Sequence, residues 1–475
     1  MNNITVTHFI PLIGPFVEAS NRLGLNTTQI VSYQKMQGNE QHIYLNGNFK
    51  GEPILIPDDD LNEYNPSLDN MKRYIKENNI KSTDLVLGVP PCAGFSMLSS
   101  NTSADAKANL CMIEAIKFFV ASESKVLCFE NAPGFAGFKG LDFIERYVEP
   151  ILPPECKMTL VKTDTNQHGI PQNRPRTFMY IYKADVNKKI LNVEEIHHKT
   201  LKEMFAGLDE AESENNLHVY LKGKDIDNWT EWANSPQGMS IVKDVIIEKL
   251  DKPDYRQDII VETFRRIREV PGFVIQGNEY VERNMVNLKA KCDAKGAVTF
   301  RDSGPIIFRE RTSAIVGKNN TNLSRTFINT QDKWVDFFND WLPEQDPATV
   351  VDNIKRSEIK IRPMTMREKM RMMGWQDTYT IADYVRNNNH ICQSVPVSTA
   401  VSAVKWALQI LGNENVEDVQ IEPVSRLLFQ VNTRSEMNKD VNFITETKIL
   451  NINKISDKIT QTAKLDDWDD TDCCN

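Results

Sequence analysis

The sequence predicts an α/β protein: a mostly parallel, doubly wound sheet with a smaller mixed α/β domain inserted into it. Three observations lead there. Two short apolar runs, Leu85-Val86-Leu87-Gly88-Val89 and Val126-Leu127-Cys128-Phe129, have the unbroken hydrophobic character of strands buried on both faces. Between them Leu110 to Val120 has helical apolar spacing, and a strand, helix and strand of this length form a right-handed crossover, which makes the strands parallel and about 5 Å apart when adjacent. From about residue 186 to 355 the pattern changes to short strand-like pieces, such as Phe273-Val274-Ile275 and Val298-Thr299-Phe300, with helical pieces such as Ile241 to Leu250 between polar turns.

The chain of 475 residues, 40% hydrophobic and 25% charged, is long enough for two domains with a sizeable core. No run of eighteen apolar residues occurs, and Met1-Asn2-Asn3 does not lead into a charged and then apolar leader, so neither a membrane span nor a secretion signal is expected. Eight cysteines, scattered singly except for Cys473-Cys474, with no Cys-x-x-Cys pair, suit a reducing cytoplasm and argue against structural zinc; no metal is expected. A net charge of -9 does not advertise nucleic-acid binding, which needs only a local basic face.

Ile4 to Lys35 reads as strand, turn, helix and strand. Pro15 suits the first position of a helix that runs to Leu23 and stops at Gly24. A nucleotide-like cofactor is expected at the turn before it. The second strand, Gln29 to Ser32, ends in Tyr33-Gln34-Lys35 without a carboxylate. After Ile54-Leu55-Ile56 comes Asp58-Asp59-Asp60, either a cofactor-holding acid or a solvated turn.

The apolar run before Pro90 and Pro91 cannot continue past them, so the chain turns and presents Cys92, followed by Ala93 and Gly94, at the carboxyl end of a buried strand. Such a cysteine can pack as a small hydrophobe or face a ligand. The neighbouring strand ends at Glu130-Asn131, which puts a carboxyl group at the same sheet edge. Arg174 and Arg176 lead into Thr177 to Tyr182 and, two residues apart, share a face; such a fork of donors suits a carbonyl oxygen, or phosphate or carboxylate groups at the surface.

Pro90-Pro91-Cys92 with Gly94-Phe95-Ser96, Glu130-Asn131, Gln172-Asn173-Arg174-Pro175-Arg176, Arg362 to Glu368 with Met373-Gly374-Trp375, and Gln393-Ser394-Val395-Pro396 occur in one order, and together they resemble the motifs of the cytosine C5 DNA methyltransferases. The resemblance covers most of residues 1 to 412. It implies a Rossmann-like S-adenosylmethionine-dependent methyltransferase fold, with a catalytic and cofactor domain over 1–185, a target-recognition domain over 186–355, a return to the catalytic domain over 356–412 and an extension with an acidic tail over 413–475. It implies Cys92 as nucleophile on carbon 6 of cytosine, Glu130 as the acid at ring nitrogen 3, and Arg176, with Arg174 beside it, supporting the base. That chemistry needs a soft, largely deprotonated thiol and a base swung out of the stack, with Ser99, Ser100 and Asn101 on the loop expected to close over it. S-adenosylmethionine is the implied donor, held by Gly14, Phe16, Asp60, Pro91, Gln393, Ser394 and Val395.

The chain departs from the family where the cofactor binds. In place of a Phe-x-Gly-x-Gly-Gly loop it has Ile10-Pro11-Leu12-Ile13-Gly14-Pro15-Phe16, and glutamine replaces asparagine at position 393. Two alternatives therefore stand beside methyl transfer: the same activation of cytosine with another one-carbon donor, such as a folate or a modified adenosylmethionine, and a noncatalytic DNA-binding relative. The basic residues from Arg265 to Arg325 suit phosphates, or a solvated face where they alternate with acids, and Thr312 to Arg325 suits a base-reading loop. The expected partner is double-stranded DNA, with RNA open, and the expected state is a monomer. Restriction-modification and protection of a viral genome both stay open as roles. Near the end of the matched region, Thr365 and Glu368 form a capping-box pattern, and Val395 to Leu411 reads as an amphipathic helix.

Overall fold

The computed structural model describes residues 4–33, 40–57, 67–96, 102–183, 199–208, 234–250, 312–313, 324–381, 390–412 and 427–432. The first part of the chain runs β1 (Thr5–Phe9), α1 (Pro15–Arg22), β2 (Asn26–Tyr33), α2 (Gln41–Leu45), β3 (Ile54–Ile56), α3 (Leu68–Glu77), β4 (Leu85–Gly88), α4 (Leu110–Ala121), β5 (Val126–Asn131), α5 (Phe138–Phe143), β6 (Cys156–Asp164), β7 (Gln172–Asn173) and β8 (Pro175–Lys183). Then come α6 (Leu201–Phe205), α7 (Pro236–Leu250), β9 (Thr312–Ser313), β10 (Ser324–Thr330), β11 (Lys333–Asp336), α8 (Val350–Arg356), β12 (Ile359–Pro363), α9 (Met366–Met372), α10 (Val397–Ile410) and β13 (Leu427–Asn432).

The main sheet has the order β13-β6-β8-β5-β4-β1-β2-β3. Strands β3, β2, β1, β4 and β5 pair in parallel, β8 lies antiparallel between β5 and β6, and β13 is antiparallel to β6. The order reverses at β1, so the turns after β1 and β4 flank the crevice where open α/β sheets take ligands. Alternation assigns the faces. Leu127 and Phe129 of β5, with Met179 and Ile181 of β8, join the core beneath α4, whereas Val126 and Cys128, with Phe178, Tyr180 and Tyr182, join the core beneath α10. Phe16 lies in that second core, 1% exposed, with its ring edge-on to Phe178 at 6.5 Å.

The smaller unit is a three-stranded antiparallel sheet, β11-β10-β12, covered by α7 and α8 around Val245, Ile246, Phe337 and Ile361. Gln331 and Asp332 link β10 to β11 with φ of 51° and 64°, the left-handed pair that suits a two-residue hairpin turn. Strand β12 completes this sheet although it follows residue 356, where the return to the first domain was expected; its inward Ile359 and Ile361 are both buried. Likewise β13, within the 413–475 extension, is a strand of the main sheet. The strand-like pieces expected at 273–275 and 298–300, and the acidic tail, lie outside the described residues.

Candidate active site

Strand β4 stops at Gly88, where a side-chain carbon would stand 2.8 Å from the Phe9 carbonyl oxygen, so β4 and β1 approach closely here. After the two prolines the chain makes a tight turn in which the Phe95 amide donates to the Cys92 carbonyl at 3.0 Å. Phe95 anchors that turn, packed at 5.1 Å on Phe135 and 5.6 Å on Phe143. Downstream, the Ser103 amide donates to the Gly94 carbonyl at 3.1 Å, and the Asn109 side chain donates to the carbonyls of Ser103 and Ala104, each at 2.9 Å. Gly94 lies against Asn109, and Gly134 against the Phe95 carbonyl, with no room for a side-chain carbon at either. Asn109 and Gly134 thus hold the cysteine turn. Neither was singled out in the sequence, where the missing side chain at Gly94 was the available signal.

Register brings the other groups to this end of the sheet. Gly88 pairs with Phe129, so Glu130 lies one residue beyond the last β4–β5 pairing. Glu130 is opposite Phe178, and Arg176 is its diagonal neighbour on the same face. Arg176 Nε approaches Glu130 Oε1 to 2.5 Å. The two atoms are poorly aligned for a hydrogen bond and neither makes another, so the contact is an ion pair with hydrogen-bonding capacity left over. Glu130 is 1% exposed. Burial pushes its carboxyl above the usual carboxylate range, and Arg176 and Arg174 oppose that rise.

Cys92 is partly buried. Burial raises its thiol and the charge of Glu130 raises it further, against the opposing pull of Arg176 and Arg174. The resting thiol is therefore not the largely deprotonated group expected from the sequence. It shares one electrostatic site with Glu130, and a proton on the carboxyl removes part of what holds the thiol up.

The two arginines separate in role. The buried guanidinium of Arg174 donates to the carbonyls of Cys392 and Ser394 at 2.6 and 3.0 Å, while its backbone amide donates to Asp164 at 2.9 Å. Burial lowers it to about 9, with Arg176 adding to the fall. Its fork fastens the turn ahead of α10, and Arg176 is the arginine that reaches Glu130. Gln172 donates to the Met372 carbonyl at 2.7 Å and fixes the start of the same segment. Strand β9 pairs in parallel with β7, Gln172 opposite Thr312 and Asn173 opposite Ser313, so the segment expected as a base-reading loop begins as a strand beside Arg174.

The expected cofactor residues are distributed unevenly. Gly14 has φ of 88° and would place a side-chain carbon 2.7 Å from Ile43 Cγ1, so only glycine fits. Ile10 and Leu12 also take left-handed φ, 49° and 50°, a conformation costly for a β-branched isoleucine. Tyr379 donates to the Ile13 carbonyl at 2.7 Å and covers the loop. Ile13 and Val397 share one apolar cluster, which brings the Gly14 loop beside the Ser394 turn. Ser394 is fully buried, and its hydroxyl has no partner among the described residues, so it fits a polar ligand group at this crevice. Val395 and Pro91 lie in the same two turns, Val395 buried and Pro91 partly buried. Gln393 is exposed, and Phe16 was expected at the cofactor but is committed to the core by its packing on Phe178. Asp60 and Ser99 to Asn101 lie outside the described residues. Arg325, expected among phosphate-binding residues, is partly buried and engaged in ion pairs with Asp336 and Glu368; the other basic residues of that group lie outside the described residues.

The C-5 cytosine-specific DNA methylase family matches residues 61–410. The chain belongs to that family. Among curated relatives, the Type II methyltransferase M.DdeI of Desulfomicrobium norvegicum is 27% identical over 143 residues, 29% of this chain and 33% of its own length. M.MthTI of Methanothermobacter thermautotrophicus is 23% identical over 116 residues, 24% of this chain and 35% of its own. The chain thus spans about a third of the length of these relatives. Similar solved structures include the methyltransferase EhMeth of Entamoeba histolytica, 11% identical, TM-score 0.48, covering 86% of this chain and 99% of that one. A mutant of DNMT2 from Spodoptera frugiperda is 13% identical, TM-score 0.45, covering 86% of this chain and 100% of the other. No helix among the described residues is long and apolar enough to cross a membrane, and no metal-binding cluster occurs among them.

Proposed function

We propose that this family member transfers a methyl group from S-adenosylmethionine to carbon 5 of cytosine in double-stranded DNA, working as a monomer. The observation that carries the reading is the convergence of Cys92, Glu130 and Arg176 at one sheet edge, where burial raises the thiol and the carboxyl and Arg176 opposes both shifts. With the base swung out of the duplex, at an unstacking cost of about a few kcal/mol, the Cys92 thiol gives up its proton to solvent and adds as the thiolate to carbon 6. Glu130, whose hold on a proton burial strengthens, takes one up with the base in place and donates it to ring nitrogen 3 as negative charge grows there, while Arg176 steadies the carboxyl and the base carbonyl. The donor supplies an electrophilic methyl group; the Gly14 loop, Pro91, Ser394 and Val395 would hold it. Thr312 and Ser313, paired next to Arg174, support a recognition segment that reaches the site.

A second reading has its own observation: a leucine and an isoleucine in left-handed conformations, in a loop where the family carries glycines, favour a donor other than ordinary adenosylmethionine. One experiment tests both. A 5-fluorocytosine duplex incubated with the full chain and adenosylmethionine is expected to give a covalent adduct, absent in Cys92→Ala. An adduct that survives that substitution refutes the nucleophile assignment. An adduct formed only when a folate replaces adenosylmethionine decides for the second reading.

A further inference from the structure

Glu368 lies in the first turn of α9 and is fully buried, yet two arginines from another sheet converge on it. Arg362 of β12 makes a bidentate pair, 2.9 Å to each carboxylate oxygen. Arg325 of β10 donates to Glu368 Oε1 at 2.7 Å, while its Nε and Nη2 hold Asp336 of β11 at 3.0 and 2.7 Å. The Arg325 guanidinium also lies 5.0 Å from the Phe205 ring of α6 and 5.1 Å from that of Phe327. Glu368 therefore joins β10 and β12 directly, and Arg325 carries the link on to β11 through Asp336. Burial alone would push Glu368 up; Arg362 and Arg325 outweigh that and hold it at about 2, so the cluster stays charged throughout the neutral range.

The far end of α9 faces the candidate site. The Met372 carbonyl accepts from Gln172, two residues before Arg174, and the Met373 carbonyl accepts from the Val397 amide at 2.9 Å, at the start of α10. Desolvated ion clusters add little net stability compared with an apolar filling, but they tolerate few geometries.

We propose that the Arg325–Glu368–Arg362 cluster is a joint through which the smaller unit sets the placement of the 172–176 segment and the Ser394 turn, with Arg325 as a positioning residue for substrate engagement. This rests on the proposed function only in taking that segment as part of the site.

The test is made on the full chain with labels on unnatural amino acids at Lys72 and Lys333, exposed positions in the two units, so that the native cysteines are untouched. In Arg325→Met the label-to-label distance distribution is expected to broaden. The duplex concentration that half-saturates 5-fluorocytosine trapping should rise about tenfold, with the rate at saturation within about threefold of the parent. Arg325→Lys, which keeps the charge but loses the fork, should fall between the two, and Asp336→Asn is the milder variant should Arg325→Met not fold. An unchanged distribution with unchanged half-saturation overturns the joint, as does a variant that loses folded fraction while the remainder binds like the parent. If the parent traps no duplex, the proposed function fails, and the distance distribution alone decides the joint.

Discussion

Gly94→Ala is a single added carbon with a calculable consequence. The new carbon would stand 2.8 Å from Asn109 Cγ and 2.9 Å from its Nδ2, and closer still to its carbonyl oxygen, so the amide must move. It is not a free side-chain end: Asn109 is 1% exposed, and its Nδ2 holds the carbonyls of Ser103 and Ala104. Displacing it leaves two carbonyls short of a partner at about 1–2 kcal/mol each, so a loss of about 2–4 kcal/mol is expected. The loss should concentrate in the segment after Cys92, seen as faster amide exchange at 103–106 and slower 5-fluorocytosine trapping. Urea denaturation of Gly94→Ala, Asn109→Gly and the double variant measures the coupling: once Asn109 is gone the alanine should cost little, giving a non-additivity of about 1–3 kcal/mol. Additive losses, or Gly94→Ala as stable as the parent, would refute the account of how the turn is held.

Glu130 holds its proton to higher pH in the folded chain than when unfolded, so it favours folding at low pH and loses that contribution as pH rises through its raised value. Glu130→Gln should flatten the pH dependence of urea stability above the ordinary carboxylate range and speed iodoacetamide alkylation of Cys92, because the charge that raises the thiol is gone. Arg174→Met leaves the carbonyls of Cys392 and Ser394 unpaired, and a loss of about 2–4 kcal/mol with faster exchange across 390–396 is expected in hydrogen-exchange mass spectrometry. Ending the chain at residue 426 removes β13 and bares the β6 edge, so light scattering should show concentration-dependent association absent from the full chain.

The parallel core was legible because β4, α4 and β5 are written in local patterns: two unbroken apolar runs, two prolines and a helical repeat between. The pairing of Glu130 with Arg176 follows from the same period-two logic once β8 is set against β5. The capping box of Thr365 and Glu368 was also readable, since it depends only on residues three apart. What escaped is non-local. Nothing within five residues of Arg325 says that its fork closes on a carboxylate forty-three positions away rather than on a phosphate. The motif points Phe16 to the cofactor, but its packing on Phe178 places it in the core. The resting state of Cys92 depends on burial and on Glu130, neither of which a sequence displays. Strand β12 is not legible in the sequence because its five residues, beside a recognisable motif, carry too short an alternation to declare themselves.

The pairing of Lys157 with Asn432 has a consequence for synthesis of the protein. About 275 residues separate those partners, so a ribosome emits β1 to β8 long before the strand that borders β6 is translated. Through that interval the growing chain carries an open row of amides and carbonyls, and chaperone demand during translation should peak there and fall once residues 427–432 emerge.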